Sequence, residues 1–312
     1  MEDFYCRGYF IGYIRLYFKN MFDKVIRVLS RFLLAAGLLK KMIIVRIDGG
    51  ICSQMHFYLI GHYFKEKGYL VKYDLRWFDS HGVDLTGKFE RKFDLLKAFP
   101  KLDFCKAKSW EIFFYSRLSY SSSSYKDAQP PVYLGGYYGN NQDMYMKDFP
   151  RLFIVDTDVL DEQNRNIYHK IKQQATSVAI HVRRGDLAAF NGAYGAPVDS
   201  AYFKKVIQKI QADKGVLSCY IFSDEPEWVK KNLLKDLPEE NTYTLVDFNG
   251  SDRGYMDMFL ISACKFQITS KGSLGKFGGF LSSEECGTIY VFDDEIEKKN
   301  WSGIHDKIEF IH

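Results

Sequence analysis

Six cysteines are spread over 312 residues, and no two stand at Cys-x-x-Cys spacing. Neither a zinc site nor a disulfide framework is therefore expected, and reduced thiols in a cytoplasmic setting follow. Long apolar runs are also missing: the longest, Phe32–Leu39, has eight residues, far below the roughly 20 that span a bilayer. No small-residue cleavage site follows it, so a secretory leader is not expected. A broad basic stripe is lacking as well. Of the net charge of +4, residues 1–41 carry eight basic side chains against three acidic ones, which leaves the rest close to neutral and excludes a general nucleic-acid surface. The glycine turn at Asp48-Gly49-Gly50 lacks the spaced third glycine of a dinucleotide fingerprint.

What is present is an ordinary globular composition, 46% apolar and 26% charged, in a chain long enough to predict two domains. Between Tyr13 and Ala36 apolar and aromatic residues recur at helical spacing, with Arg15, Lys19, Lys24, Arg27 and Arg31 largely on the other side. This is an amphipathic basic helix, suited either to an anionic membrane surface or to packing on the body. Met42–Ile47 then reads as a β-branched strand, followed by the glycine turn and a helix from about Met55 to Lys65, the opening of a Rossmann-like unit. His56 and His62, six apart, do not share a helix face at ligand spacing and are read as packing or surface positions rather than metal ligands.

The strongest single feature is Ser177-Val178-Ala179-Ile180-His181-Val182-Arg183-Arg184-Gly185-Asp186. An apolar run stops on two arginines, a glycine and an aspartate. Buried parallel strands have this character, and ligands in open α/β sheets collect at their carboxyl ends. Guanidinium forks match phosphate oxygens, so Arg183 and Arg184 predict either an anionic, diphosphate-bearing ligand or a charge cluster that faces solvent or pairs with Asp186. Strand-like Leu217–Phe222 ends on Ser223-Asp224, helix-like Tyr255–Cys264 carries Asp257, and strand-like Phe266–Thr269 leads into the turn Ser270-Lys271-Gly272-Ser273. A rival signal is Leu152–Val155 followed by Asp156-Thr157-Asp158, an apparent strand ending in Asp-x-Asp. Hard divalent cations favour such carboxylates, while an aspartate before a helix is commonly an N-cap. The polar connection at Gln173–Ser177 is the candidate domain boundary.

Taken together, Gly49-Gly50-Ile51-Cys52-Ser53-Gln54-Met55, His181-Val182-Arg183-Arg184-Gly185-Asp186, Phe222-Ser223-Asp224 and Tyr255-Met256-Asp257-Met258 with Leu260, Ser262 and Cys264-Lys265 resemble the α-1,2-fucosyltransferase family, glycosyltransferase family 11, of bacterial surface-polysaccharide type. The resemblance implies an α/β GT-B-like fold with two Rossmann-like domains facing across a cleft. Residues 1–41 would be an extension, 42–174 the acceptor-side domain and 175–312 the GDP-sugar-binding domain. It implies an inverting, metal-independent transfer of L-fucose from GDP-fucose to the 2-hydroxyl of a galactoside, or of a lipid-linked oligosaccharide, in an O-antigen-like repeat unit. The setting would be cytoplasmic; residues 13–36, which lie outside the resemblance, would either place the protein on the inner face of an anionic membrane or pack on the body.

By the same resemblance Arg183, aided by His181 and Asp186, would be catalytic, and Arg183, Arg184, Gly50, Gln54, Asp224, Asp257 and Ser273 would bind the donor. Arginine donors are the usual metal-free means of stabilising charge on a departing diphosphate. Asp48, Asp186, Asp224 and His56 are the candidates for accepting the acceptor proton. Cys52 and Ser53 depart from the family's Gly-Asn, and Lys271 or Lys276 would add phosphate charge where the family's later motif differs. Two alternatives stand beside this reading: a metal-dependent glycosyltransferase using Asp156 and Asp158, and a non-catalytic, membrane-tethered sugar- or nucleotide-binding protein.

Overall fold

The computed structural model describes residues 20–80, 82, 83, 87, 90–189, 195–250, 252–282 and 287–312. Residues 13–19 of the expected amphipathic helix, the loop residues Asn191, Gly192, Ala193 and Tyr194, and Cys6 and Cys286 lie outside the described residues.

Among the described residues the strands form two sheets, and every strand pair is parallel. The smaller holds β1 (Met42–Arg46), β2 (Leu70–Asp74) and β3 (Val132–Leu134) in the order β2-β1-β3. The larger holds β4 (Ser177–Val182), β5 (Ser218–Ser223), β6 (Thr242–Val246), β7 (Phe266–Thr269), β8 (Ile289–Phe292) and β9 (Ile308–Ile311). Their order is β6-β5-β4-β7-β8-β9. The chain thus winds outward from β4 in one direction and then returns to lay β7 on its other side. That is the doubly wound order of a nucleotide-binding α/β domain, and its crevice opens where the winding reverses, at the carboxyl ends of β4 and β7.

The helices that matter below are α1 (residues 20–35), α2 (Ile51–Glu66), α3 (Ser109–Tyr115), α4 (Glu162–Lys172), α5 (Gly185–Ala189), α6 (Ser200–Lys214), α7 (Gly254–Ala263), α8 (Leu274–Leu281) and α9 (Glu295–Trp301). All six residues of β4 are buried because both faces of the large sheet are covered. Val178, Ile180 and Val182 join a cluster with Phe203, Val206 and Ile207 of α6. Ala179 points the other way, into a cluster with Ile171 of α4 and Leu260 and Ile261 of α7. Period-2 alternation therefore sends His181 to the second of these faces.

Two compact units divide the chain. One comprises Met1–Ile47, Ile60–Arg76 and Phe104–Tyr138; the other comprises Asp48–Leu59, Trp77–Asp103 and Gly139–His312.

Two local expectations are corrected. Helix α2 begins at Ile51, four residues earlier than its apolar pattern indicated, because Gly50 O already accepts from Gln54 N at 3.0 Å. The run before Asp156 is no strand: Phe149–Leu152 is a helical turn and Phe153 is buried among the rings of Phe99, Phe149 and Tyr58. Ile154, by contrast, is 69% exposed. Aromatic packing, rather than sheet burial, accounts for the apolar character there.

Candidate functional site: an arginine at the reversal of the large sheet

Leaving β4, the two arginines diverge. The Arg183 backbone N–H donates to Ser270 Oγ at 2.9 Å, and Ser270 N donates to His181 O at 3.0 Å, so the ends of β4 and β7 are stitched together. The Arg183 side chain folds back on Asp186 in the first turn of α5: Nε donates to Oδ1 at 2.9 Å and Nη2 to Oδ2. Arg184 is occupied elsewhere. Its guanidinium lies 3.8 Å from the Trp228 ring centroid, Nη1 donates to Val198 O at 3.0 Å, and Nε stands 3.6 Å from Glu225 Oε2. Asp224, at the end of β5, accepts from the N–H groups of Arg184 and Gly185 at 2.9 and 3.0 Å and so clamps the turn that presents Arg183. Burial raises the Asp224 pKa; the two N–H donors and the Arg183 charge oppose that rise, and the Asp186 charge adds to it.

After β7 the chain turns at Gly272, whose φ of +84° is in the left-handed region. A Cβ at Gly272 would collide with Arg183 Nη1 and lie 3.2 Å from Arg183 Cδ. The turn is braced from beneath by a fully buried ion pair, Lys276 Nζ to Glu297 Oε2 at 2.7 Å. Lys276 also donates to Gly272 O at 2.7 Å and Ser270 O at 3.2 Å, while Glu297 Oε1 accepts from Gly272 N at 3.3 Å. Lys271 pairs with Asp294 at 2.7 Å. Both lysines expected to add phosphate charge are thus already matched by carboxylates. His181 is buried beside this turn, its Cβ 2.9 Å from where a Gly275 Cβ would lie. Its Nδ1 has no hydrogen-bond partner among the described residues. Burial first, then the Lys276 and Arg183 charges, depress its pKa to about 3, so the imidazole is neutral at physiological pH.

A second wall comes from the start of α2. The Cys52 thiol hydrogen-bonds Ser273, and burial pushes it up to about 12 against the opposing pull of Ser273 and of the Arg183, Arg91 and Lys276 charges. Arg91 Nη1 lies 4.0 Å from where a Gly50 Cβ would sit. Gln54 is entirely engaged by backbone: Nε2 donates to Gly49 O at 3.1 Å and Lys92 O at 2.8 Å, and Oε1 accepts from Asp94 N and Leu95 N at 2.9 and 3.0 Å. An amide offers two donors and two acceptor sites, so Gln54 holds the glycine turn and has nothing left for a ligand. Three cations therefore surround Cys52. Glu297 matches Lys276 and Asp186 matches Arg183, whereas no carboxylate among the described residues pairs with Arg91. Arg91 lies in a stretch without helical or strand periodicity, and no local pattern marks it in the sequence.

Asp257 sits in a separate set of contacts at the start of α7. Asn249 Nδ2 donates to its Oδ1 at 2.7 Å, Asn249 and Asn164 exchange amide hydrogen bonds at 2.8 and 2.9 Å, and Asp161 caps α4 through Asn164 N at 2.9 Å. Burial raises the Asp257 pKa to about 7 against the opposing effects of Asn249 and Arg253. His56 donates to or accepts from Tyr145 Oη at 2.8 Å, and burial lowers its pKa to about 4. Asp156 caps its own short helical turn by accepting from Asp158 N at 3.1 Å and pairs with Lys101 at 3.0 Å. Asp161 rather than Asp158 caps the helix that follows. Among the described residues no group of three or more His, Cys, Asp or Glu side chains is placed to hold a metal.

The sequence model of the family Glycosyl transferase family 11 matches residues 98–305, a span that contains Arg183, Asp186, Asp224, Asp257 and Ser273. The chain belongs to glycosyltransferase family 11. Its relatives include the O-antigen biosynthesis glycosyltransferase WbnK of Escherichia coli, 30% identical over 142 residues, a stretch that is 43% of this chain and 44% of that protein's length. Another is an α-1,2-colitosyltransferase of Escherichia coli, 22% identical over 270 residues, 79% of this chain and 89% of that protein. Among solved structures, ADP-heptose lps heptosyltransferase II of E. coli aligns over 86% of this glycosyltransferase and 90% of that chain, with 11% identity and a TM-score of 0.48.

Proposed function

We propose that this glycosyltransferase moves L-fucose from GDP-fucose to the 2-hydroxyl of a galactoside in a surface-polysaccharide repeat unit, with inversion and without a metal ion. The observation that carries the reading is Arg183, held by Asp186 at the reversal point of the doubly wound sheet. As the bond from the sugar C1 to the diphosphate oxygen breaks, negative charge grows on the departing GDP and positive charge on the ring. A guanidinium fixed before the reaction stabilises that developing charge without reorganising. Arg91 adds the second cation, and the glycine turns at Gly50 and Gly272 let backbone approach the phosphates. His181, being neutral, serves as a hydrogen-bonding rather than a charged partner. Arg184, Asp224 and Gln54 act by holding the turns that present these groups; Ser273, hydrogen-bonded to Cys52, belongs to the nucleotide side of the site, whereas Asp257 is engaged apart from it by Asn249.

The acceptor hydroxyl attacks the opposite face of C1 as the bond to the diphosphate breaks; GDP departs, and the hydroxyl proton passes to solvent as the new bond forms. The relative named for colitose transfer favours a second donor reading, a nucleotide-activated colitose. The polysaccharide setting follows the relative named for O-antigen biosynthesis, and with it a lipid-linked acceptor at a membrane surface. A screen of nucleotide sugars against galactosides, with the product linkage read by NMR, tests the donor and the bond together. Turnover that persists in excess EDTA is expected. Loss of activity in EDTA with recovery on adding magnesium or manganese would return the reaction to a metal-dependent route.

A further inference from the structure

Helix α1 does two things at once. One side is anchored: Ile26 and Ser30 are buried, Ser30 Oγ donates to Phe114 O at 3.3 Å, and Leu33 and Leu34 pack against the cluster of Met42, Ile44, Ile112 and Tyr115. A neighbouring side is apolar and uncovered. Met21, Val25, Val28 and Phe32 follow one another at i, i+4, i+7 and i+11 and are 47%, 59%, 68% and 66% exposed, with Leu29 widening the stripe. Lys24, Arg27 and Arg31, also one row at i, i+3 and i+7, are exposed along its far edge, and none is paired with a carboxylate among the described residues. On the near edge Phe22 meets Phe113 of α3 at 6.4 Å, and Trp110, on the same face of α3 as Phe113, is 50% exposed.

We infer that this apolar stripe with its cationic edge is a membrane-docking face, lying in the interface of a bilayer that carries anionic phospholipid headgroups. An apolar stripe bordered by arginine and lysine, with aromatic rings beside it, is the composition of a helix that rests in the headgroup region rather than crossing it. No helix among the described residues is long and apolar enough to cross a membrane. Charge disfavours a second copy of the chain: a two-fold interface brings the patch against itself and offers the Lys24, Arg27 and Arg31 row no carboxylate, whereas an anionic surface complements it. The inference goes beyond the donor and acceptor reading and is measured without turnover, so either can fail alone.

Flotation of the full-length protein with vesicles of phosphatidylcholine, with and without phosphatidylglycerol, tests it. Binding is expected only with phosphatidylglycerol and should weaken as salt is raised. Val28→Glu with Phe32→Glu should reduce bound protein at least tenfold. Each of Lys24→Gln, Arg27→Gln and Arg31→Gln should cost roughly fivefold. Both sets are to keep the wild-type circular dichroism spectrum. Tryptophan quenching by brominated lipid should largely disappear in Trp110→Phe. Absence of binding to phosphatidylglycerol vesicles, or binding unchanged in V28E/F32E, would overturn the inference. So would a dimer in light scattering that dissociates in V28E/F32E while vesicles capture nothing.

Discussion

Asp186 takes the Nε–Nη2 edge of Arg183 and accepts from both nitrogens, while Gly272 faces Arg183 from the end of the neighbouring strand. Two parallel N–H···O bonds fix the plane of a guanidinium as well as its position. On the proposed reading the plane matters, because a departing diphosphate would meet a fork rather than a point charge.

Arg183→Ala is therefore expected to lower kcat by roughly 10²–10³-fold or more, the usual cost of removing one preorganised donor from developing charge. Arg183→Lys keeps the charge, loses the fork and should recover little. Asp186→Asn keeps the shape but loosens the plane, for which about 10²-fold is the expected loss. Steady-state kinetics on the screened donor check all three, with a near-normal Arg183→Ala removing the assignment.

Arg91 has a different signature. Its guanidinium stands by Gly50 and Cys52 with no carboxylate partner among the described residues, so little of their packing depends on it. Arg91→Ala should leave the melting temperature within about 2 °C of wild type, as surface-like substitutions do. Affinity for GDP, measured by calorimetry, should fall by about tenfold, the loss of one charge-assisted contact. Unchanged GDP affinity would place the second cation elsewhere.

The Lys276–Glu297 pair separates stability from geometry. Lys276→Met alone leaves Glu297 buried and unpaired and should cost about 3–5 kcal/mol in urea unfolding. Lys276→Met with Glu297→Met removes both charges and should regain much of that stability. The carbonyls of Ser270 and Gly272 still lose their donor in the double variant. The turn facing Arg183 should then be misplaced, and kcat/KM should stay depressed despite the recovered fold. Recovery of both together would show the pair to be structural only.

Much of the large sheet was legible in the sequence because buried parallel strands are continuous apolar runs: β4, β5 and β7 are readable to within a residue or two, and Arg183 falls at the end of β4 as expected. The smaller sheet was less so. Strand β2 is broken by Lys72, which is partly buried only because Glu111 pairs with it from α3, and no local pattern reveals a partner so distant in sequence. The same reason hides Glu297, whose partner is Lys276, while Arg91 is missed because no periodicity marks its stretch. Gln54 and Asp224 were visible as polar residues in the right places, but whether a polar side chain addresses a ligand or its own backbone depends on neighbours that only the fold brings in. Leu152–Val155 misled because aromatic packing and sheet burial select similar residues.

Protonation offers the last test. His181 and His56 fold with pKa values of about 3 and about 4, below the ordinary 6.5, because burial disfavours their charged forms. The unfolded chain takes up protons from pH 6.5 downward that the folded chain refuses, so their stabilisation is complete above about 6.5 and is lost as pH falls toward 4 and 3. Asp257 has the opposite sign. With its pKa raised from 3.8 to about 7, its contribution is complete below 3.8 and is lost as pH rises through 7. The two effects offset each other in the wild type between about pH 4 and 7, each by at most about 1.4 kcal/mol per pH unit per group. His56→Gln should remove one acid-labile contribution, so its melting temperature should fall less than that of wild type from pH 6.5 to 5. Asp257→Asn should gain on wild type as pH rises from 5 to 7.5. Thermal melts without nucleotide measure both, and variant curves running parallel to wild type across that range would show that neither group is held as its burial requires.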